Sequence, residues 1–118
     1  MENFKKSPEE IKQLIEKCPI NYAMNKIGGK WKPIILHRIK MGANRFGMLQ
    51  KFIPSISKQM LTSQLRELEA DGFISRTIFA EIPPRVEYTI TENGETIFPL
   101  LQSIAEWGQK QKELHQVK

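Results

Sequence analysis

The 118-residue chain contains one cysteine and two histidines. A single thiol, Cys18, excludes an internal disulfide and fits a reducing compartment. No spacing of His, Cys, Asp or Glu matches a metal motif, so neither a metal nor another cofactor is expected, and His37 and His115 read as structural or solvent-facing. Gly28-Gly29-Lys30-Trp31 lacks the glycine spacing and the following Ser or Thr of a phosphate-binding loop, so an enzyme is not expected either. No stretch approaches the ~20 apolar residues of a membrane span. The opening Met1-Glu2-Asn3-Phe4-Lys5-Lys6 lacks the apolar run of a signal peptide, which makes the cytoplasm the expected location.

The most informative absence is of carboxylates. Residues 17–66 contain no Asp or Glu but ten cations: Lys17, Lys26, Lys30, Lys32, Arg38, Lys40, Arg45, Lys51, Lys58 and Arg66. The flanks are acidic, at −1 over residues 1–16 and −4 over residues 67–118. Carboxylates are repelled by a phosphate backbone, so their exclusion from fifty consecutive residues points to a polyanionic partner. A solvated basic surface or a membrane-surface patch would account for the same charge alone.

What is present is a run of short amphipathic segments. Ser7-Pro8-Glu9-Glu10 opens a helix with a cap, a proline in the first turn and a capping box, and Ile11, Leu14 and Ile15 form its apolar stripe up to Cys18-Pro19. A short helix follows from Asn21 to Ile27, with Tyr22, Met24 and Ile27 apolar, and Gly28-Gly29 breaks it. Another runs from about Lys30 to Lys40 with Trp31, Ile34, Ile35 and Ile39 inward, its start set by Pro33, and Gly42 stops it. Arg45 to Phe52 forms the next, with Phe46, Leu49 and Ile53 inward. Ser57 caps a longer helix to Asp71, ended by Gly72, with Ile56 and Leu61 placed to form a hydrophobic staple.

From Phe73 the period changes. Phe73–Ala80 and Arg85–Ile90 alternate and are rich in β-branched and aromatic residues, and Glu81-Ile82-Pro83-Pro84 between them is a donor-poor loop. Thr91 caps a final helix from Glu92 to about Glu113, with Ile97, Leu100, Leu101, Ile104 and Trp107 apolar and a kink expected at Pro99. No linker or repeat divides residues 1–118, so one domain is expected. The fold class expected is mainly α with a small β-hairpin wing, a winged helix-turn-helix, which is a DNA-binding architecture.

On the helix Ser57–Asp71, Leu61, Leu65 and Leu68 share the core face. The opposite face carries Gln59, Thr62, Ser63 and Arg66, with Ser57 and Lys58 at the N-terminus. Gln pairs with adenine, Arg with guanine, and Thr touches a thymine methyl or a phosphate. The helix N-terminus favours phosphate. The carboxylates Glu67, Glu69 and Asp71 come only in the last turn. Arg85 at the hairpin tip is placed to meet the minor groove or a phosphate, and Lys30 and Arg45 are further candidate DNA contacts from the carboxylate-free segment. The plainer alternatives are an amphipathic helix with a polar outer face and a solvated surface arginine. A winged helix used only for protein contact, or an RNA binder, would be the competing functions, the latter disfavoured by the lack of aromatic stacking positions on the strands.

Cys18-Pro19-Ile20, Ile27 to Lys32, Arg45-Phe46, Ile56 to Thr62, Leu65 to Gly72, Pro83 to Tyr88, Thr91-Glu92 and Glu106-Trp107 together resemble the HxlR family of bacterial winged-helix regulators, over roughly residues 17–108. The resemblance implies a MarR-like homodimer on a pseudo-palindromic operator, so double-stranded DNA and a second copy of the chain are the partners expected. It places the dimer contacts on the terminal helices, here Ile11, Leu14 and Ile15 with Leu100, Ile104 and Trp107. It also makes Cys18 a candidate redox or electrophile sensor, because some members carry a sensing cysteine just before that proline. A buried structural thiol is the competing account of Cys18. No motif identifies a small-molecule effector.

Overall fold

The computed structural model describes residues 5–116. Met1 to Phe4, which form most of the N-terminal stretch without an apolar run, and Val117-Lys118 lie outside the described residues. The elements run α1 (Pro8–Glu16), α2 (Pro19–Ile27), α3 (Lys32–Lys40), α4 (Phe46–Phe52), α5 (Lys58–Ala70), β1 (Ile74–Phe79), β2 (Arg85–Ile90), α6 (Glu92–Glu95) and α7 (Phe98–Gln116). Helices dominate, and β1 and β2 form one antiparallel hairpin with Ile74 opposite Ile90 and Phe79 opposite Arg85.

Local chemistry explains most of the boundaries. The Ser7 hydroxyl accepts from the Glu10 amide at 3.2 Å while the Glu10 carboxylate accepts from the Ser7 amide at 2.9 Å, a complete capping box that starts α1. Pro19 then occupies the first turn of α2, so that helix begins two residues before Asn21. Pro33 lies in the first turn of α3, where its missing N–H is not needed. Ser57 caps α5 by accepting from the Met60 amide at 3.0 Å. Gly72, at φ 81°, turns the chain out of α5 and into β1.

The last helix differs from the expectation. Thr91 caps a short α6, accepting from the Gly94 amide at 3.0 Å, and α7 starts afresh at Phe98. Pro99 therefore sits in the first turn of α7 and starts that helix instead of kinking a longer one. Thr91 also donates to the Gly72 carbonyl at 2.6 Å, which ties the base of the hairpin to the end of α5. At Gly94 a Cβ would come within 2.1 Å of the Phe73 carbonyl oxygen, so α6 packs on the hairpin base only through a residue without a side chain.

One cluster of buried side chains joins these elements. Ile35 and Leu36 of α3, Leu49 of α4, Leu61, Leu65 and Leu68 of α5, and Ile74 of β1 form its centre. Lys32 shares the buried stripe of α3 with Ile35, Leu36 and Ile39. Only Ile74 of β1 is buried, and Ile78 is 60% exposed, so the hairpin leaves the core after one turn of the ladder. The terminal helices behave differently: neither α1 nor α7 buries a residue. The Cα radius of gyration is 18.3 Å, against about 13.5 Å expected for a compact chain of this length. No helix among the described residues is long and apolar enough to cross a membrane.

Candidate nucleic-acid interface

Helix α5 is fixed from beneath by its leucines and from its N-terminus by Ser57. This leaves Lys58, Gln59, Thr62, Ser63 and Arg66 on its outer side, where the five line one shallow depression. Ser57 lies at its edge, its hydroxyl occupied by the cap. No ion pair among the described residues involves Lys58 or Arg66. The depression therefore presents amide and hydroxyl groups and two unneutralised cations, Lys58 at the positive end of the helix dipole and Arg66 about two turns further along.

The carboxylates that follow in the same helix are neutralised from elsewhere. Lys32 Nζ lies 2.6 Å from Glu67 Oε1, Lys26 Nζ lies 3.3 Å from Asp71 Oδ1, and Arg76 Nε lies 3.6 Å from Glu69 Oε1. Lys40 pairs with Glu95 at 2.6 Å. The carboxylate-free segment thus supplies cations with different roles, among them Lys58 and Arg66 on α5's polar side and Lys26, Lys32 and Lys40, which bind the acidic half of the chain. Lys32 is the buried charged residue of the core, and Glu67 is its only ion-pair partner among the described residues. The apolar pattern of this helix did not mark Lys32 as inward; its helical spacing to Ile35, Leu36 and Ile39 is the signal that could have done so.

The hairpin holds its arginines in pairs. Arg85 lies 3.2 Å from Glu81 through Nη2 and 3.4 Å from Glu87 through Nε, and its guanidinium stacks 4.0 Å from the centre of the Phe79 ring. Arg45, the residue before α4, reaches the same Glu87 carboxylate at 3.2 Å. Arg45 and Arg85 line one hollow at the wing tip with Glu81 and Pro83-Pro84. Arg85 is thus at the wing as expected, but as part of an ion-pair network and not as a free cation. Lys30 stands apart from both surfaces, its ammonium 4.7 Å from the centre of the Trp31 ring.

Tyr88, which the pattern marked only as a strand residue, sits where α5 meets the wing. It shares a polar cleft with Thr62, Arg66, Glu69 and Arg76. Burial pushes its hydroxyl above the ordinary tyrosine range; Arg76 opposes this, Glu69 reinforces it, and Arg66 opposes it. The phenol stays neutral at physiological pH beside Arg66. Its amide donates to the Asn44 carbonyl at 2.8 Å, tying β2 to the loop before α4.

Cys18 is half-buried between α1 and α2. It shares an apolar hollow with Ile11, Leu14, Ile15 and Met24. On α7, Leu100, Ile104 and Trp107 are likewise exposed. No group of three or more metal-ligating side chains occurs among the described residues.

Two helices joined by a tight turn, the second presenting a polar face and followed by a two-stranded hairpin, define a winged helix-turn-helix protein. Within that class the chain belongs to the HxlR family: the model described as HxlR-like helix-turn-helix matches residues 26–116. It is 47% identical over 91 residues to an HTH-type transcriptional regulator of Methanothermobacter thermautotrophicus, covering 77% of this chain and 70% of that one. It is 42% identical over 99 residues to the HTH-type transcriptional regulator YybR of Bacillus subtilis, covering 84% and 79%. Among solved structures it resembles the redox regulator HypR in its reduced form, with 40% identity, a TM-score of 0.77 and coverage of 85% of this chain and 99% of that one. The reduced form of the regulator YodB from B. subtilis is 33% identical, with a TM-score of 0.69 and coverage of 79% and 93%. The chain is a DNA-binding transcriptional regulator of the helix-turn-helix type.

Proposed function

We propose that the chain is a single-domain regulator that binds a pseudo-palindromic operator as a homodimer. The observation that carries this reading is the outer side of α5, where Lys58, Gln59, Thr62, Ser63 and Arg66 line one surface and neither cation has a carboxylate partner among the described residues. Thirteen residues make a helix about 20 Å long, enough to lie in a major groove. Gln59, Thr62, Ser63 and Arg66 meet base edges, Ser57, Lys58 and the α5 amides meet phosphate, and Arg45 and Arg85 follow the backbone or minor groove from the wing. Lys30 adds a more distant phosphate contact.

The second copy covers the terminal helices. Ile11, Leu14 and Ile15 of α1 and Leu100, Ile104 and Trp107 of α7 are all exposed in one chain, and the large radius of gyration supports their role as arms that another chain embraces. Two-fold symmetry then sets half-sites about one helical turn, or ~34 Å, apart. Cys18 responds to oxidants at the edge of that interface; its apolar hollow on α1 and α2 and the likeness to redox regulators support this. The cytoplasm is the setting for such a regulator, with duplex DNA and its own copy as partners.

Selection of bound duplexes from a random library at physiological salt tests the reading. An inverted repeat should be enriched, and affinity should fall with a log–log salt slope near −0.9 per phosphate contact. Failure to enrich any sequence over random duplex would sink it. Cys18→Ser should abolish a response of that binding to oxidant; an unchanged response removes Cys18 from the sensing role.

A further inference from the structure

We propose that the hollow between α3 and α4 is a binding site for a small carboxylate with an aromatic or aliphatic body. The hollow, of about 580 Å³, lies among His37, Arg38, Met41, Met48 and Phe52, within the size range of small-molecule sites. Its walls are apolar side chains without a protein cover: Met41, Met48 and Phe52 are 70%, 38% and 48% exposed. Two of the three are methionines, whose unbranched thioethers repack around different apolar shapes.

The charge at its edge selects the occupant. Arg38 Nε donates to the Phe52 carbonyl at 3.0 Å, and Nη1 lies 2.7 Å from His37 Nδ1. These contacts hold the guanidinium at the hollow and engage two of its five donors. Arg38 forms no ion pair among the described residues. No carboxylate exists anywhere on α3, α4 or the loop between them to fill that place. Because arginine only donates, His37 Nδ1 is the acceptor in that contact. Lys51, whose ammonium lies 5.5 Å from the centre of the Phe52 ring, adds positive potential beside the apolar wall. A guanidinium with spare donors next to an uncovered apolar wall matches a ligand with one anionic end and one apolar end.

Calorimetric titration of the full chain without DNA tests the site independently of what α5 reads. The probes are 4-phenylbutyrate and its uncharged amide. Saturable binding of one carboxylate per chain is expected, about tenfold tighter than the amide. Met41→Glu places a carboxylate on an exposed wall position and leaves the core untouched; it should weaken the carboxylate by about tenfold with an unchanged circular dichroism spectrum, as should Arg38→Gln. Absence of saturable binding, equal affinity for acid and amide, or wild-type affinity in folded Met41→Glu protein would each overturn the proposal.

Discussion

The outer side of α5 and the wing both carry arginine, and they hold it in opposite ways. Arg66 stands on the same side of α5 as Lys58 with no carboxylate partner among the described residues, whereas Arg85 and Arg45 share Glu87, and Arg85 also pairs with Glu81. A phosphate or base edge meeting α5 adds an interaction to a solvated cation. The same ligand meeting the wing must displace a carboxylate that is already in place, so its net gain is smaller. Equal charge on the two surfaces therefore does not mean equal contribution to nucleic-acid binding.

The largest test of this difference is Arg66→Ala. It should reduce preference for the selected operator over random duplex by about 1–3 kcal/mol, the range for one bidentate base contact, read by competition binding. Arg85→Ala should lower affinity less, and equally for both duplexes; a larger loss than Arg66→Ala would reverse the comparison. Next comes Ser57→Ala, which removes the cap that orients α5. A loss of about 1 kcal/mol in denaturant stability is expected, and no change would mean that the leucine face alone fixes the helix. The smallest effect is that of Glu87→Gln, which frees Arg45 and leaves Arg85 with Glu81 as its remaining carboxylate partner. It should tighten binding to any duplex by an amount comparable to an exposed ion pair, about 0.2–1 kcal/mol, with a steeper salt dependence. Weaker binding would show that Glu87 orients the wing arginines and does not mask them.

How much of this was legible in the sequence depended on the range of the interaction responsible. The Ser7–Glu10 capping box, the Ser57 cap and the leucine face of α5 are contacts within four residues of chain, and each was readable. The five outer positions of α5 follow from the same periodicity. The break before Phe98 was not readable, because apolar positions continue through it from Ile97 to Leu101 and conceal the restart at Pro99. The fate of the ten cations was also hidden. Their lack of acidic neighbours in sequence invited one shared role, but Lys26, Lys32, Lys40 and Arg45 meet acids from the other half of the chain. Only packing could assign those partners. The exposure of the apolar faces of α1 and α7, by contrast, was readable, since a core of this size does not cover both terminal stripes.

Those cross-chain ion pairs have a consequence for the protein before it has any structure. Lys26–Asp71, Arg45–Glu87 and Lys40–Glu95 span 45, 42 and 55 residues. The unfolded chain is a polyampholyte of two blocks, a purely cationic stretch over residues 17–66 and a net acidic one after it. Such blocks attract within a Debye length of about 8 Å at physiological ionic strength, and closing long loops adds little entropy cost beyond closing shorter ones. Early collapse is thereby biased toward bringing α2–α4 against α5 and the hairpin, the arrangement in which the core is later built. Stopped-flow refolding of this chain is therefore expected to slow as salt rises, and a rate independent of salt would show that the blocks do not guide its collapse.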